Sequence, residues 1–493
     1  MLSIGYDIGS SSIKCCFLEI ENGKVIAEDF YPADEMRISS PHPGWAEQDP
    51  NIWWENVKIL TKRLLKNNKI DGRRVVSIGI SYQMHGLVLV DKNQDVIRPS
   101  IIWCDSRAVE IGNKAFAKIG SDYCLNNLLN SPGNFTASKL RWVKENEPEV
   151  YSRIYKAMLP GDFIAMKLTG EVNSTISGLS EGIFWDFKKH CISEKILEHY
   201  EVDENILPDI HPTFAVQGKV TADVAEELGL KKGTVVSYRA GDQPNNAFSL
   251  NVINSGEIAA TAGTSGVIYG VIDKINCDKL SRVNPFAHVN YTIEQPRFGV
   301  LLCINGTGIQ NSWIRKQIAG DLSYDEMNKF ASNIPVGSEG VIVLPFGNGS
   351  ERVLENKNIK GQILGLDFNR HTREHLFRAS QEGIAFSLKY GLDIMKEMGL
   401  KISVIRAGKA NMFLSPVFRE TLSNVTEAMI ELYDTNGAQG AARGAAYGAG
   451  YYKTFKDTLQ SLNKVGEVHP QVKDVDVTLN SYNNWLSKLK LFC

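Results

Sequence analysis

One aspartate stands at the end of an apolar run, in a position that could support acid–base chemistry. Residues 234–236 predict a buried strand, and two small residues allow a sharp turn just before Asp242. We expect Pro244 to stop the strand from continuing. A carboxylate fixed at a strand end is partly desolvated and open to a cleft, which suits a general base. The alternative for Asp242 is a turn residue that caps a helix starting near Asn245.

Three turns combine glycine with hydroxyl-bearing or small residues, a composition typical of phosphate sites. They lie at Gly9, Gly263 and Gly408, and each follows an apolar stretch. Backbone N–H groups approach a phosphate closely only where side chains are small. The chain has no Gly-x-x-x-x-Gly-Lys-Ser/Thr, which excludes a P-loop protein, and no Gly-x-Gly-x-x-Gly in a βαβ context, which argues against a dinucleotide-binding fold.

Two of these turns sit inside similar β-turn-β units. Residues 2–6 and 13–19 predict two strands around the first turn, and residues 258–268 predict strand, turn and strand around the second. A duplicated domain would explain the similarity, and chance resemblance of two Gly/Ser/Thr turns is the alternative. We expect two domains, at residues 1–248 and 249–493, the second ending in a helical tail after residue 450.

Other patterns predict the helices that would support such sheets. Asp49 and Pro50 predict a helix start, with Asp as N-cap and Pro at the first helical position. Residues 372–398 predict a long helix with one apolar face. The run of glycine and alanine at residues 437–446 is typical of a helix that another backbone approaches closely, or simply of tight packing.

Composition narrows the class of protein. A chain of 493 residues is too long for one core, and its net charge of −2 gives no electrostatic case for binding nucleic acid or an anionic membrane. The 8 cysteines are scattered without a Cys-x-x-Cys, which suits a reducing compartment. Asp7 interrupts the first apolar stretch too early for a signal peptide, and no run is long enough to span a bilayer. We therefore expect a cytoplasmic protein.

Taken in order, the motifs resemble the FGGY family of carbohydrate kinases along nearly the whole chain. The matching segments are 4–14, 43–54, 83–86, 98–107, 167–171, 241–242, 263–266, 305–310 and 407–411. Met84-His85-Gly86 is similar to a signature of the xylulose-specific branch of the family. The resemblance implies an α/β fold of two actin-like ATPase (ribonuclease H-like) domains flanking a central cleft.

The resemblance also implies roles for individual residues in an ATP- and Mg²⁺-dependent transfer to a sugar hydroxyl. Asp242 would be the general base, and Asp7 with Asp242 would hold Mg²⁺. The implied sugar-binding residues are Met84, His85, Trp103, Asp105, Asp242 and Gln243. The implied ATP-binding residues are Gly9, Ser10, Ser11, Lys14, Gly263, Thr264, Gly306, Gln310, Gly408, Lys409 and Asn411.

Several alternatives stay open at this point. Gln243 stands where xylulose-specific members often have Asn, and Gly-Asp-Gln also occurs in glycerol kinases. The acceptor implied is therefore a ketopentose such as D-xylulose, with glycerol or another ketose or polyol as the alternative. An actin-like ATPase or sugar sensor that transfers nothing is a third reading. Partners are expected to be small molecules only, and a homodimer is one option for the assembly.

Overall fold

The computed structural model describes residues 1–459 and 461–493, and two mixed β-sheets dominate it. The strands are β1 Leu2–Ile8, β2 Ile13–Glu19, β3 Val25–Tyr31, β4 Glu47–Gln48, β5 Val75–Tyr82, β6 Val88–Val90, β7 Ser100–Ile101, β8 Lys156–Met158, β9 Asn173–Thr175, β10 Trp185–Asp186, β11 Cys191–Ile192, β12 Asp209–His211, β13 Phe214–Lys219, β14 Val235–Gly241, β15 Glu257–Ala262, β16 Gly266–Ile272, β17 Asn284–Ala287, β18 Phe298–Ile304, β19 Ile342–Leu344, β20 Gln362–Leu364, β21 Val404–Gly408, β22 Ile430–Asp434 and β23 Asn463–Val468.

Helices cover both sheets. They are α1 Pro50–Asn67, α2 Val109–Ile119, α3 Ser121–Tyr123, α4 Thr136–Asn146, α5 Pro148–Tyr151, α6 Pro160–Thr169, α7 Ile176–Glu181, α8 Glu194–Tyr200, α9 Ala222–Leu228, α10 Asp242–Ser249, α11 Gly308–Ile314, α12 Tyr324–Ser332, α13 Arg373–Glu397, α14 Pro416–Thr426, α15 Gly437–Gly448, α16 Phe455–Thr458 and α17 Val472–Leu489. In the described part of the chain, no helix has the length and apolar character needed to cross a membrane.

The two large sheets share one topology. The first has the order β13-β14-β5-β1-β2-β3, and the second has the order β17-β18-β16-β15-β21-β22-β23. In each, an antiparallel hairpin (β1–β2 or β15–β16) is followed by two parallel pairings and ends in an antiparallel edge strand. This repeated order confirms the expected two-domain α/β fold and favours duplication over chance. We call the part of the chain from β1 to β14, which carries the first sheet, the first lobe. The part from β15 to β23, which carries the second sheet, is the second lobe.

The lobes exchange one helix each. Helix α10 continues from β14 of the first sheet and contacts β15 and β16 of the second, while α15 continues from β22 and packs on β1 and β5. A Cβ built on Gly5 would lie 1.9 Å from the Ala438 carbonyl oxygen, and one on Gly79 would lie 2.1 Å from that of Ala441. The glycines of β1 and β5 therefore allow the α15 backbone to approach closely. On α15 itself, a Cβ on Gly448 would lie 1.9 Å from the Ser237 carbonyl oxygen, which is the close approach predicted from the sequence. The boundary at residue 248 stays a prediction.

Local signals placed some elements correctly and misplaced others. Asp49 caps α1 by accepting a hydrogen bond from the Asn51 N–H, as predicted. The role predicted for Pro244 is wrong: β14 already ends at Gly241, and Pro244 lies in the first turn of α10, where a missing N–H is not needed. The tail is also not purely helical, because β23 adds an edge strand to the second sheet.

Candidate active site

A cleft of about 400 Å³ lies between the lobes and gathers residues from both. The first lobe contributes Asp7 from β1 and Asp242 from the start of α10. The second contributes Gly408 at the end of β21, the following Asn411, and Gly437 at the start of α15. Residues more than 150 positions apart in the chain thus face one space, as the sequence predicted for a cleft between two domains.

The Asp242 carboxylate is held where ionisation is unfavourable. Burial, together with the smaller effect of the Asp7 negative charge, raises the pKa of Asp242 to about 7. Hydrogen bonds with Gln243 and the charge of Lys14 act in the opposite direction. A carboxylate that titrates near neutral pH is suited to accept a proton from a substrate hydroxyl.

Asp7 is anchored by its neighbours on three sides. The Ser81 hydroxyl donates a hydrogen bond to Asp7 Oδ1 at 2.9 Å, and Lys14 Nζ lies 3.6 Å from Oδ2. A Cβ on Gly437 would come within 2.7 Å of Oδ2, so only glycine lets the N-terminus of α15 meet this carboxylate. Asp7 therefore lies at the N-terminal end of a twelve-residue helix, where the helix dipole is positive.

The first phosphate turn contacts a loop predicted to bind sugar. Gly9 donates from its N–H to the Ser12 carbonyl at 3.2 Å, which closes the turn. The indole Nε1 of Trp103, a half-exposed residue, donates to the Ser10 hydroxyl at 3.3 Å. Ser10 of the predicted phosphate turn and Trp103 of the predicted sugar loop are therefore in contact.

His85 has a single hydrogen-bonded tautomer. Its Nδ1 lies 3.1 Å from the Glu181 carbonyl oxygen, which can only accept, so Nδ1 carries the proton and Nε2 is an acceptor. Burial, together with the smaller effect of the Lys139 charge, lowers the pKa of His85 to about 3, so the ring is neutral at pH 7. His85 also has a left-handed backbone (φ 62°), which is uncommon for a residue other than glycine.

Sequence reasoning missed Glu181, which lies beneath His85. Its side chain is almost fully buried, and Oε2 accepts a hydrogen bond from the His85 N–H at 3.3 Å. Burial raises the pKa of Glu181 well above its usual value, and the charge of Asp242 adds to this. The only sequence signal was one acidic residue within the small and apolar residues of α7.

Asp105 and a buried lysine hold the loop that carries Trp103. Asp105 has no exposed surface; its Oδ2 accepts from the Ala46 N–H at 2.6 Å, and both oxygens pair with Arg107. Lys139, also missed, donates from Nζ to the carbonyls of His85 and Ile102 at 2.8 and 3.0 Å. Burial lowers the pKa of Lys139 to about 7. In this conformation Asp105 is committed to the loop, and its contact with sugar stays a prediction.

Five of the predicted ATP-binding residues of the second lobe line two further cavities. One of about 450 Å³ is bounded by Gly263, Thr264 and Asn411 together with α11 and α12. Another, of about 340 Å³, is lined by Gly306 and Gln310 on the other side of α11. A Cβ on Gly308 would lie 2.2 Å from the Gly263 carbonyl oxygen, so glycine at position 308 lets the turn that contains Gly306 pack against the turn that contains Gly263.

The structure thus brings many of the sequence-predicted site residues to three adjoining cavities. Those that line them are Asp7, Lys14, Asp242, Gln243, Gly408, Asn411, Gly263, Thr264, Gly306 and Gln310. Those outside these cavities are Gly9, Ser10, Ser11, Met84, His85, Trp103, Asp105 and Lys409.

The acidic pair fits one hard cation held mainly by water and phosphate. Within residues 1–459 and 461–493, no group of three or more His, Cys, Asp or Glu side chains is arranged to hold a metal. Mg²⁺ in phosphoryl-transfer sites needs only one or two carboxylates beside substrate oxygens. Asp7 and Asp242 meet that need, and a cation between them would relieve the repulsion that raises the pKa of Asp242.

Comparisons with known proteins agree with this geometry. Residues 2–249 match the N-terminal domain of the FGGY family of carbohydrate kinases, and residues 258–452 match its C-terminal domain. A xylulose kinase of Escherichia coli is 28% identical over 93% of this chain and 92% of its own, and one of Haemophilus influenzae is 29% identical over 99% of both. The crystal structure of a xylulose kinase from Rhodospirillum rubrum superposes with a TM-score of 0.89 at 25% identity, covering 100% and 99% of the two chains.

Proposed function

Because the chain belongs to the FGGY family of carbohydrate kinases and therefore acts on a sugar with ATP, we propose that its acceptor is D-xylulose, phosphorylated on O5. The observation that supports this most is the cleft itself, in which Asp7 and Asp242 face Gly408 and Asn411 across the lobes. The choice of sugar rests on relatives named xylulose kinase that align with more than nine-tenths of the chain. It also rests on the Met84-His85-Gly86 signature.

Asp242 accepts the proton of the O5 hydroxyl as that oxygen attacks the γ-phosphorus of ATP. The O5–P bond forms as the bond to the bridging oxygen of ADP breaks. General base help of this kind is worth about 10²–10⁴-fold in rate. Asp7 and Asp242 would hold Mg²⁺, which neutralises phosphate charge when bound.

The phosphate chain binds between the two glycine turns. Ser10, Ser11 and Thr264 supply hydroxyl and backbone donors, and Lys14 supplies a positive charge beside the cleft. The nucleoside binds along the second lobe, in contact with the residues predicted there: Gly306, Gln310, Gly408, Lys409 and Asn411. Closure of the lobes excludes water, which would otherwise take the phosphoryl group.

The sugar lies on the first lobe, next to Asp242. His85 accepts a hydrogen bond from a sugar hydroxyl at Nε2, because its Nδ1 is already used by Glu181. Met84 packs against carbon atoms, and Gln243 and Trp103 bind further hydroxyls. Asp105 acts through the loop that it anchors.

A sugar panel tests the proposal directly. Purified protein with MgATP is assayed by coupled ADP release against D-xylulose, D-ribulose, L-ribulose, gluconate, xylitol and glycerol. We expect D-xylulose to have the highest kcat/KM. A clear preference for glycerol would overturn the choice of sugar, and Gln243 gives that outcome a specific basis.

A single variant separates a kinase from an ATPase or sensor that transfers nothing. Asp242→Asn should lose sugar-dependent turnover by at least about 10²-fold while still binding sugar and nucleotide. Asp223→Asn, on the exposed first turn of α9, is the matched control and should keep wild-type activity. Unchanged turnover in Asp242→Asn would contradict the proposed mechanism.

A further inference from the structure

The second lobe reaches into the sugar side of the first through β17. The Ala287 N–H donates to the Ser180 hydroxyl at 3.0 Å, and the Ser177 hydroxyl donates to the Ala287 carbonyl at 3.0 Å. The ring of Phe286 lies 5.4 Å from that of His85. A strand of the second lobe therefore forms part of the wall around His85.

This contact brings Arg352 close to the sugar side. Its Nη1 donates to the Asn284 side-chain carbonyl, at the start of the same strand and two residues before Phe286. The charge of Arg352 contributes to the low pKa of His85, which places the guanidinium within electrostatic range of that ring. No sequence motif had marked this arginine.

Arg352 has no acidic partner. Among the described residues it forms no ion pair, although it is partly buried and burial lowers its pKa. Buried arginines elsewhere in the chain pair with carboxylates: Arg98, Arg107, Arg239, Arg378 and Arg406. Among the described residues Arg443 and the partly buried Arg297, Arg315 and Arg419 also form no ion pair. Arg443 donates to Thr435 and Gln439, and the other three donate to backbone carbonyls.

The adjacent acid does not neutralise Arg352. Both oxygens of Glu351 accept from the Asn305 N–H, at 3.0 and 3.2 Å, so this fully buried side chain is committed to the loop before Gly306. A partly desolvated guanidinium with free donors favours a ligand that supplies strong acceptor oxygens.

We propose that Arg352 is a substrate-binding residue of the second lobe that donates to the carbonyl end of the acceptor sugar and so favours a ketose over its polyol. The inference rests on the proposed function and adds that the protein recognises the carbonyl group of the sugar. Contacts support this order of groups: a Cβ on Gly241, the neighbour of Asp242, would lie 2.6 Å from Met84 Cγ, and Met84 precedes His85. Asn284, which binds Arg352, and Phe286, which packs on His85, are two positions apart on β17 and so project from the same face of that strand. A chain with O5 at Asp242 that runs past His85 therefore ends near Arg352.

The test compares D-xylulose with xylitol and D-arabinitol, the two products of its reduction at C2. In Arg352→Met, we expect KM for D-xylulose to rise about 10- to 100-fold, the loss typical of a hydrogen bond from a charged group. The kcat, the KM for ATP and the kcat/KM for both polyols should stay within about threefold. Arg352→Lys keeps the positive charge but loses the two-pronged guanidinium, so its KM for D-xylulose should lie between those of the wild type and Arg352→Met.

Controls make the possible outcomes distinct. Arg370→Met removes an exposed arginine of the same lobe and should behave as wild type. Thermal unfolding identifies a variant with a folding defect. If Arg352→Met does not fold, Arg352→Lys decides instead: its KM for D-xylulose should rise while its kcat stays unchanged. If the wild type phosphorylates D-xylulose and the folded variant has the same KM for it, the role of Arg352 is overturned while the proposed function stands. A wild type that prefers polyols, or phosphorylates no ketose, overturns the proposed sugar and this role of Arg352 together.

Discussion

At the scale of residues, the pKa of Asp242 should appear in the pH dependence of the reaction. A general base must be ionised, so kcat/KM should fall about tenfold per pH unit below an apparent pKa near 7. Lys14 lowers that pKa through its charge. Lys14→Met should therefore move the acid limb to higher pH, measured between pH 5 and 9 as kcat/KM for MgATP, which reports the enzyme before the cation binds.

Lys24→Met, an exposed change in the turn between β2 and β3, is the matched control and should leave the limb in place. An acid limb near pH 4 in the wild type would contradict a raised pKa of Asp242. A limb that moves to lower pH in Lys14→Met would contradict the effect of the Lys14 charge on that pKa.

Glu181 should support sugar binding through its hydrogen bond with His85 rather than through its charge. Burial raises the pKa of Glu181 well above its usual value, and its Oε2 accepts a hydrogen bond from the His85 N–H. Glu181→Gln keeps the shape and one acceptor, and kcat/KM should stay within about threefold. Glu181→Ala leaves buried polar groups unpaired, so KM for sugar should rise about tenfold. Steady-state kinetics with both variants decide this, and equal losses in Gln and Ala would mean that the charge matters.

The residues found and missed by sequence reasoning differ in one physical respect. Asp7, Asp242 and the glycine turns stand at strand ends, where a local pattern of apolar and small residues marks them. Glu181, Lys139 and Arg352 matter because of groups that lie far away in the chain, such as His85 for Glu181. A buried charge looks the same in sequence as an exposed one until its partners are known.

At the scale of elements, the close approach of α15 to the first sheet should be sensitive to a single methyl group. A Cβ on Gly79 would lie 2.1 Å from the Ala441 carbonyl oxygen, which is backbone and cannot move aside cheaply. Gly79→Ala should cost about 1–3 kcal/mol of unfolding free energy. It should also lower kcat, because the N-terminus of α15 lies against Asp7. Denaturant unfolding and kinetics measure the two effects.

Gly466→Ala provides the matched glycine change. A Cβ there meets only the Leu432 side chain at 3.7 Å, an ordinary contact, so stability should change by less than about 0.5 kcal/mol. If Gly79→Ala were equally neutral, the packing of α15 on the first sheet would not depend on the glycine at this position of β5.

Elements themselves were predictable where the signal is local. The hairpins around Gly9 and Gly263, the cap at Asp49 and the long helix α13 all follow from short-range patterns. The pairing of β14 with β5 and the placement of α15 on the opposite lobe join distant segments, and periodicity carries no information on such partners. Pro244 shows a local limit: proline is as acceptable in the first turn of a helix as it is after a strand.

At the scale of the whole molecule, the exchange of α10 and α15 predicts that the first lobe does not fold alone. A fragment of residues 1–248 lacks α15, so the face of the sheet around Gly5 and Gly79 would be open to solvent. We expect this fragment to be aggregated or to lack cooperative unfolding. Joining residues 434–452 to its C-terminus through a flexible linker should restore a cooperative transition, measured by circular dichroism and calorimetry. The same extension with Ala441→Glu and Ala445→Glu, which puts charges on the buried face of α15, is the control and should not rescue. A well-folded 1–248 fragment would mean that the lobes are independent and that α15 only docks on a finished surface.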